Sequence, residues 1–386
     1  MRRAIPIAVA CLGVWVPSAR AVDWNIRSTL SETVEFNDNR KMQNNSAGNS
    51  YNSVSALVFD ARALTPTSRL DLNGGLTYRA FAGPGEADTE NTLDNRVSAR
   101  FEKSTKLTTY NLIASRSETQ TSTIQLEETG VATLAGSTII TTYGGGFTHR
   151  IGLRDSVSSQ TTFSSTSFTV PNNTPSTSLT SSLNWLHRLN PITDLLPSVQ
   201  FQRLLFDNAA QSEVTFWRAT MRAQTQLTKR LRFLGSVGAA LLDSKQNNGG
   251  AIDPAGLTSG SSLDWVADML LTYQPTQTVT VGLSAARSVG PTTFGQFLKS
   301  ESIGASLKYD INRVSNLAFS SSFSRQASAT ASAAESLSAT VAYSRRLTRE
   351  WRSQLSYRFQ QRDSDAGSAN SNAVLFSVTR DAIILP

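Results

Sequence analysis

Cysteine is nearly absent from this chain of 386 residues; Cys11 is the only one. It falls in an N-terminal stretch that reads as a secretory leader, so the exported protein could form no disulfide even in an oxidising compartment. Histidine is almost as scarce, with His149 and His187 alone. Neither has a cysteine or a second histidine at ligand spacing, which argues against a transition-metal site. A serine hydrolase would need one of them beside a nucleophile, and serine is so common along the chain that no pairing stands out. No catalytic residue, metal or cofactor is therefore expected. Long apolar runs are missing too. Past residue 22 no segment could serve as a transmembrane helix, and the continuous buried strands of a large soluble sandwich are scarce. No basic run of the nucleic-acid-binding kind occurs.

The leader spans residues 1–21. Arg2 and Arg3 form a charged start, Ile5 to Val16 an apolar middle, and Ala19-Arg20-Ala21 a small-x-small cleavage site. Removing these 21 residues, with three arginines and no acid, leaves 365 residues and lowers the net charge from +7 to +4. The basic isoelectric point therefore says little about a polyanionic partner. A Sec-exported protein without disulfides or spanning helices can still cross a membrane with strands.

Strands are what the remainder offers. Near the C-terminus, Leu337, Ala339, Val341 and Tyr343 alternate with Ser338, Thr340 and Ala342. After the polar turn at 345–350 the chain returns through Trp351, Ser353, Leu355, Tyr357 and Phe359 against Arg352, Gln354, Ser356, Arg358 and Gln360. Period two is the mark of a strand with one apolar and one wet face. The same unit recurs from residue 24 onward, with short turns such as TPTS (65–68), KSTK (103–106), QPTQ (274–277) and DINR (310–313). Longer polar loops at 37–50, 83–92, 119–136, 243–259 and 363–369 alternate with them. The tight-side connection NPITDLLP (190–197) is the longest of its kind. This reading gives eighteen strands, with sixteen as the lower bound because the seventh, ninth and fifteenth are weakly patterned. Connections sorted by length are the habit of outer-membrane barrels, which have short periplasmic turns and longer extracellular loops. Lipid permits no open sheet edge, so the predicted fold is one closed antiparallel up-and-down barrel.

The segment YSRRLTREWRSQLSYRFQQRDSD (343–365), with SNAVLFSV (371–378) after it, resembles the EpsL-like β-barrel porin family of outer-membrane proteins associated with exopolysaccharide systems. ETVEFNDNRKM (32–42), a strand ending in an aromatic followed by Asp-Asn, has the same look. The resemblance implies an outer-membrane location and a part in surface-polysaccharide export, with polysaccharide and periplasmic export components as partners. It implies no catalytic residue. The chain departs from the usual barrel ending in a C-terminal aromatic, since it closes Ala382-Ile383-Ile384-Leu385-Pro386. Either Phe376 and Val378 supply that signal ahead of a short tail, or the last strand lies in another register.

Two residue sets are candidates for function. Arg79, Arg96, Arg100, Arg218, Arg222, Arg358 and Arg362 fall on the polar parity of their strands. Charge is costly against lipid, so they should face the lumen, where they could favour anionic solutes or polymer. Alternatively they brace the wall by pairing with acids such as Asp71, Asp94 and Glu102. Tyr78, Trp217, Tyr309, Tyr343, Trp351 and Tyr357 fall on the apolar parity and suit interfacial girdles beside lipid and lipopolysaccharide. The loop acids Glu86, Asp88 and Glu90, or Asp363 and Asp365, could hold Ca²⁺ but read more simply as solvated charges. Besides the polysaccharide conduit, an anion-preferring diffusion porin and a non-conducting scaffold with binding loops remain open.

Overall fold

The computed structural model describes residues 22–84, 91–129, 136–170, 173–207, 212–246, 260–291, 297–328, 334–364 and 367–385. The expected leader lies outside them. Eighteen strands run in chain order. The first six are β1 (Asp23–Asn37), β2 (Ser50–Leu64), β3 (Ser68–Ala82), β4 (Thr92–Ser104), β5 (Thr108–Gln120) and β6 (Ser137–Arg150). Next come β7 (Asp155–Phe168), β8 (Ser176–Asn190), β9 (Thr193–Phe206), β10 (Ser212–Thr228), β11 (Leu231–Gln246) and β12 (Gly260–Tyr273). The last six are β13 (Val279–Pro291), β14 (Phe297–Asn312), β15 (Ser315–Ser328), β16 (Ala334–Arg346), β17 (Trp351–Ser364) and β18 (Gly367–Leu385). Each pairs antiparallel with its sequence neighbours, and β1 pairs with both β2 and β18, which closes the barrel. Even the shortest strands, of 13 residues, exceed the roughly 9–11 needed to cross a bilayer. The strands of weak pattern, β7, β9 and β15, are each 14 residues long, so closure and not periodicity sets their length.

The interior is not a conventional core. Large apolar side chains such as Leu76, Val97, Val237 and Ile303 are exposed on one parity all round the wall, as a lipid-facing surface requires. Buried apolar side chains cluster at the long-loop end, all but Val289 on the opposite parity. Leu204, Phe206 and Val214 form one group, Phe216, Ala240, Val266 and Val289 a second, and Leu242 packs against both. These side chains lie on the neighbouring strands β9 to β13 and pack against one another along the wall.

Three sequence expectations need correction. The chain past Val378 is not a tail: β18 continues to Leu385, which sits opposite Ile26 of β1, so the terminal apolar residues finish the closing seam. The connection at 190–197 shrinks to Pro191-Ile192, because Asn190 Oδ1 accepts the Ile192 N–H at 3.0 Å and makes a tight turn. Pro197 then lies inside β9, where the β8–β9 ladder skips Trp185 and Leu186 and so loses little to the missing N–H. The loop at 363–369 is largely strand, with β17 running to Ser364 and β18 starting at Gly367, whose φ of 120° suits glycine at a hairpin. Within the loop at 119–136, Thr121–Thr129 forms the one described helix, α1, which is too short to cross a membrane.

Candidate functional site

Alternation on a closed barrel gives every strand a lumenal and an outer parity. On β1, Val34 and Phe36 are exposed outside, so Glu35 and Asn37 point inward, and both are buried. Asn37 donates to Glu35 Oε1 at 3.2 Å and accepts the Ser371 hydroxyl at 2.9 Å and the Asn39 N–H at 2.8 Å. Asn39 Nδ2 in turn donates to the carbonyls of Gln43 at 2.7 Å and Asn370 at 3.0 Å. The segment after β1 is thereby tied back into the barrel beside β18, and Met42, at a left-handed φ of 52°, is buried with it. A cavity of about 390 Å³ opens alongside, with Glu35, Arg40, Arg79, Arg358 and Arg362 in its wall and Thr123 of α1 reaching it. Among the described residues of that wall, four arginines accompany one carboxylate, with Asp94 behind Arg79.

The seven arginines divide by partner. Arg79 Nε lies 2.9 Å from Asp94 Oδ2, Arg100 Nη2 2.6 Å from Glu102 Oε1, and Arg358 Nη2 2.5 Å from Glu35 Oε1. Arg222 reaches Asp268 only at 3.9 Å. Arg96, Arg218 and Arg362 have no carboxylate within ion-pair distance among the described residues, and Arg362 Nε is buried without an acceptor. Asp71 takes Arg62 at 2.8 Å and Arg69 at 2.6 Å instead of any of the seven. The alternation signal could not have separated paired from unpaired arginines, because register across strands decides which acid lies opposite. It also missed Glu35, which lies on an otherwise plain strand.

Tyr78, Trp217, Tyr309, Tyr343, Trp351 and Tyr357 are all exposed on the outer parity. Tyr309, Tyr343 and Trp351 stand at the short-turn ends of their strands, and the Arg380 guanidinium covers Trp351 at 5.6 Å. Tyr78 and Trp217 are nearer the long loops. Tyr357 is different: it sits mid-strand, and its hydroxyl donates to Asn372 Oδ1 at 2.7 Å, which satisfies it within the apolar band. His149 Nδ1 meets the Thr108 hydroxyl at 2.8 Å, and His187 Nδ1 meets Asp155 Oδ1 at 2.8 Å with Trp185 Nε1 on the same oxygen at 3.0 Å. These arrangements brace turn ends. Glu86, Asp88, Glu90 and Asp365 lie outside the described residues, and no cluster of metal-ligand side chains occurs among those described.

Pseudomonas aeruginosa OccK2 (OpdF) superposes with a TM-score of 0.55 at 10% identity, covering 94% of this chain and 99% of that one. A BenF-like porin from Pseudomonas fluorescens Pf-5 gives 0.54 at 11%, again over 94% and 99%. OpdK from Pseudomonas aeruginosa also gives 0.54 at 11%, over 94% and 99%, and one structure of OpdK contains vanillate. This is the fold of an outer-membrane porin. Its apolar outer band requires a bilayer, and a closed barrel belongs in the outer one. No family model and no curated protein matches the sequence, so the porin fold is shared without a demonstrated family.

Proposed function

We propose that the chain is a passive outer-membrane channel with a preference for small anions. The observation that carries this reading is the surplus of lumenal arginine: Arg96, Arg218 and Arg362 fall on the inner parity with no carboxylate within ion-pair distance among the described residues. Guanidinium groups stay charged at any physiological pH and bind carboxylates and phosphates with two donors at once. Placed along a water-filled lumen, they raise the local concentration of anions and repel cations. Barrels of sixteen to eighteen strands leave an aqueous passage, and the inward-folded segment after β1 narrows it beside the arginines without plugging every sector.

Residues 1–21 act in this reading as a Sec leader, and the aromatic residues at both ends anchor the barrel among lipid and lipopolysaccharide. The side chains do passive work only, holding charge and excluding nothing by chemistry. Export of a surface polysaccharide, which the family resemblance implied, gains no specific support from this lumen. A small solute fits a passage narrowed by β1–β2 and α1 more readily than a polymer does.

The test is reversal potential across a planar bilayer under a potassium chloride gradient, with vanillate as a second anion. The parent channel should prefer anions, and Arg218→Glu with Arg222→Glu should reduce or reverse that preference. Unchanged selectivity in a folded variant would remove this pair from the ion path.

A further inference from the structure

β12 and β13 separate half-way up the wall. They pair over Ala267–Tyr273 and Val281–Arg287 only, whereas β12 stays bonded to β11 as far as Gly260 and β13 to β14 as far as Pro291. Above the split, each strand turns to the other an edge with no ladder partner among the described residues. Exposed backbone polar groups are costly in hydrocarbon, so such an edge inside a membrane has to be covered by something. Here side chains cover it. Asp264 Oδ1 lies 2.9 Å from Arg287 Nη2, and Asp264 Oδ2 lies 2.6 Å from Lys299 Nζ. Arg287 also pairs with Glu301, and its guanidinium lies 4.3 Å above the Trp265 ring. Across the split, Val289, on the same parity of β13 as the outward Leu283, packs against Val266, Phe216 and Ala240 of the lumenal parity. The sequence agrees with an edge at this place, because β13 ends in Gly290-Pro291 and proline brings no N–H to a ladder.

Outside the split, a groove of about 800 Å³ crosses β10 to β16, with Met221, Val237, Trp265, Met269, Ile303 and Phe323 in its apolar lining. At its long-loop end stand Arg287 and Arg325, the latter 3.8 Å from Glu335. Arg287 Nε is buried and has no acceptor, despite the two acids on the other nitrogens. An apolar trough that ends at an unfilled guanidinium donor suits a single-chain amphiphile with an anionic head.

We infer that the β12–β13 split is a lateral portal between lumen and outer leaflet for single-chain anionic amphiphiles, with the chain in the groove and the head at Arg287 and Lys299. The latch is made of ion pairs and two valines, not of backbone ladder, so it opens without unzipping a strand. This role goes beyond passive ion flow and does not depend on it.

Val266→Cys with Val289→Cys tests it directly, since the chain's only cysteine, Cys11, lies outside the barrel strands. The protein is reconstituted in vesicles that enclose a cyclodextrin–dye reporter, and dodecylsulfonate, whose charge is permanent, is added outside. Before cross-linking with a short bifunctional thiol reagent, amphiphile arrival should match the parent. After it, arrival should fall to the protein-free rate while potassium chloride conductance persists. Asp264→Asn, which loosens both ion pairs, should speed arrival. Arrival at the parent rate in the cross-linked barrel would overturn the portal, and so would a parent no faster than bare vesicles. Absence of conductance alone would instead overturn the anion-channel reading.

Discussion

Glu35→Gln isolates the electrostatics of the cavity below the long loops. Glu35 is buried, accepts Arg358 Nη2 at 2.5 Å and Asn37 Nδ2 at 3.2 Å, and is the one carboxylate among four arginines in that wall. Glutamine keeps the shape and an acceptor for Asn37 but removes the charge. Arg358 is about one-third exposed (32%) and can recover some hydration, so the lost charge-assisted bond should destabilise the barrel by about 1–2 kcal/mol, less than a fully buried pair would. The freed positive charge acts on permeating ions as well. A unit charge roughly 8 Å away in water is worth about 0.5 kcal/mol, attractive to anions and repulsive to cations. Permeability ratio therefore shifts by about fivefold toward anions at low ionic strength, and by much less near 0.15 M salt, where screening sets in at about 8 Å. Reversal potentials at several salt concentrations, with a urea titration of the same protein, read both effects. A folded variant whose selectivity is unmoved at low salt would show that the Arg358 charge does not face the ion path, and the argument from the cavity would fail.

Asn37→Ala removes a residue that is 1% exposed and holds three hydrogen bonds, so the urea midpoint should drop by an amount worth about 2–3 kcal/mol, with higher conductance as the segment after β1 loosens. An equal midpoint would mean that this segment is not anchored by Asn37. Trp217 and Trp351, kept singly in a background without other tryptophans, should be quenched more by lipids brominated near the headgroup than by lipids brominated at the chain end. The opposite order would move them out of the girdles. Gly238→Ala should block assembly, because a Cβ there would run into the Ala219 carbonyl oxygen, and heat-modifiable migration on gels would be lost. A normally migrating variant would refute the register of β10 against β11.

How legible the molecule was depends on the kind of signal involved. Period two, with turns sorted by length, was enough for direction, closure and a count of sixteen to eighteen strands, because lipid imposes an alternating pattern on every crossing. Strand ends were less legible. Pro197 and the terminal Ala382 to Leu385 look like loop and tail in isolation, and they become strand only because a neighbour lies opposite: β10 in one case and β1 in the other. Side-chain roles were legible only by face. Arg96 and Arg79 read alike along the chain, yet Asp94 lies within reach of Arg79 alone.

Alternation and turn length are local properties, so they sufficed for a lipid-facing barrel of sixteen to eighteen strands with arginines on its inner parity. The folded ring was needed to show which arginines have a carboxylate within reach, where Phe206, Val214 and Phe216 are buried along the wall, and where β12 and β13 are joined by side chains instead of ladder. Each of those depends on what lies across a neighbouring strand, and cross-strand register is fixed by closure of the whole ring.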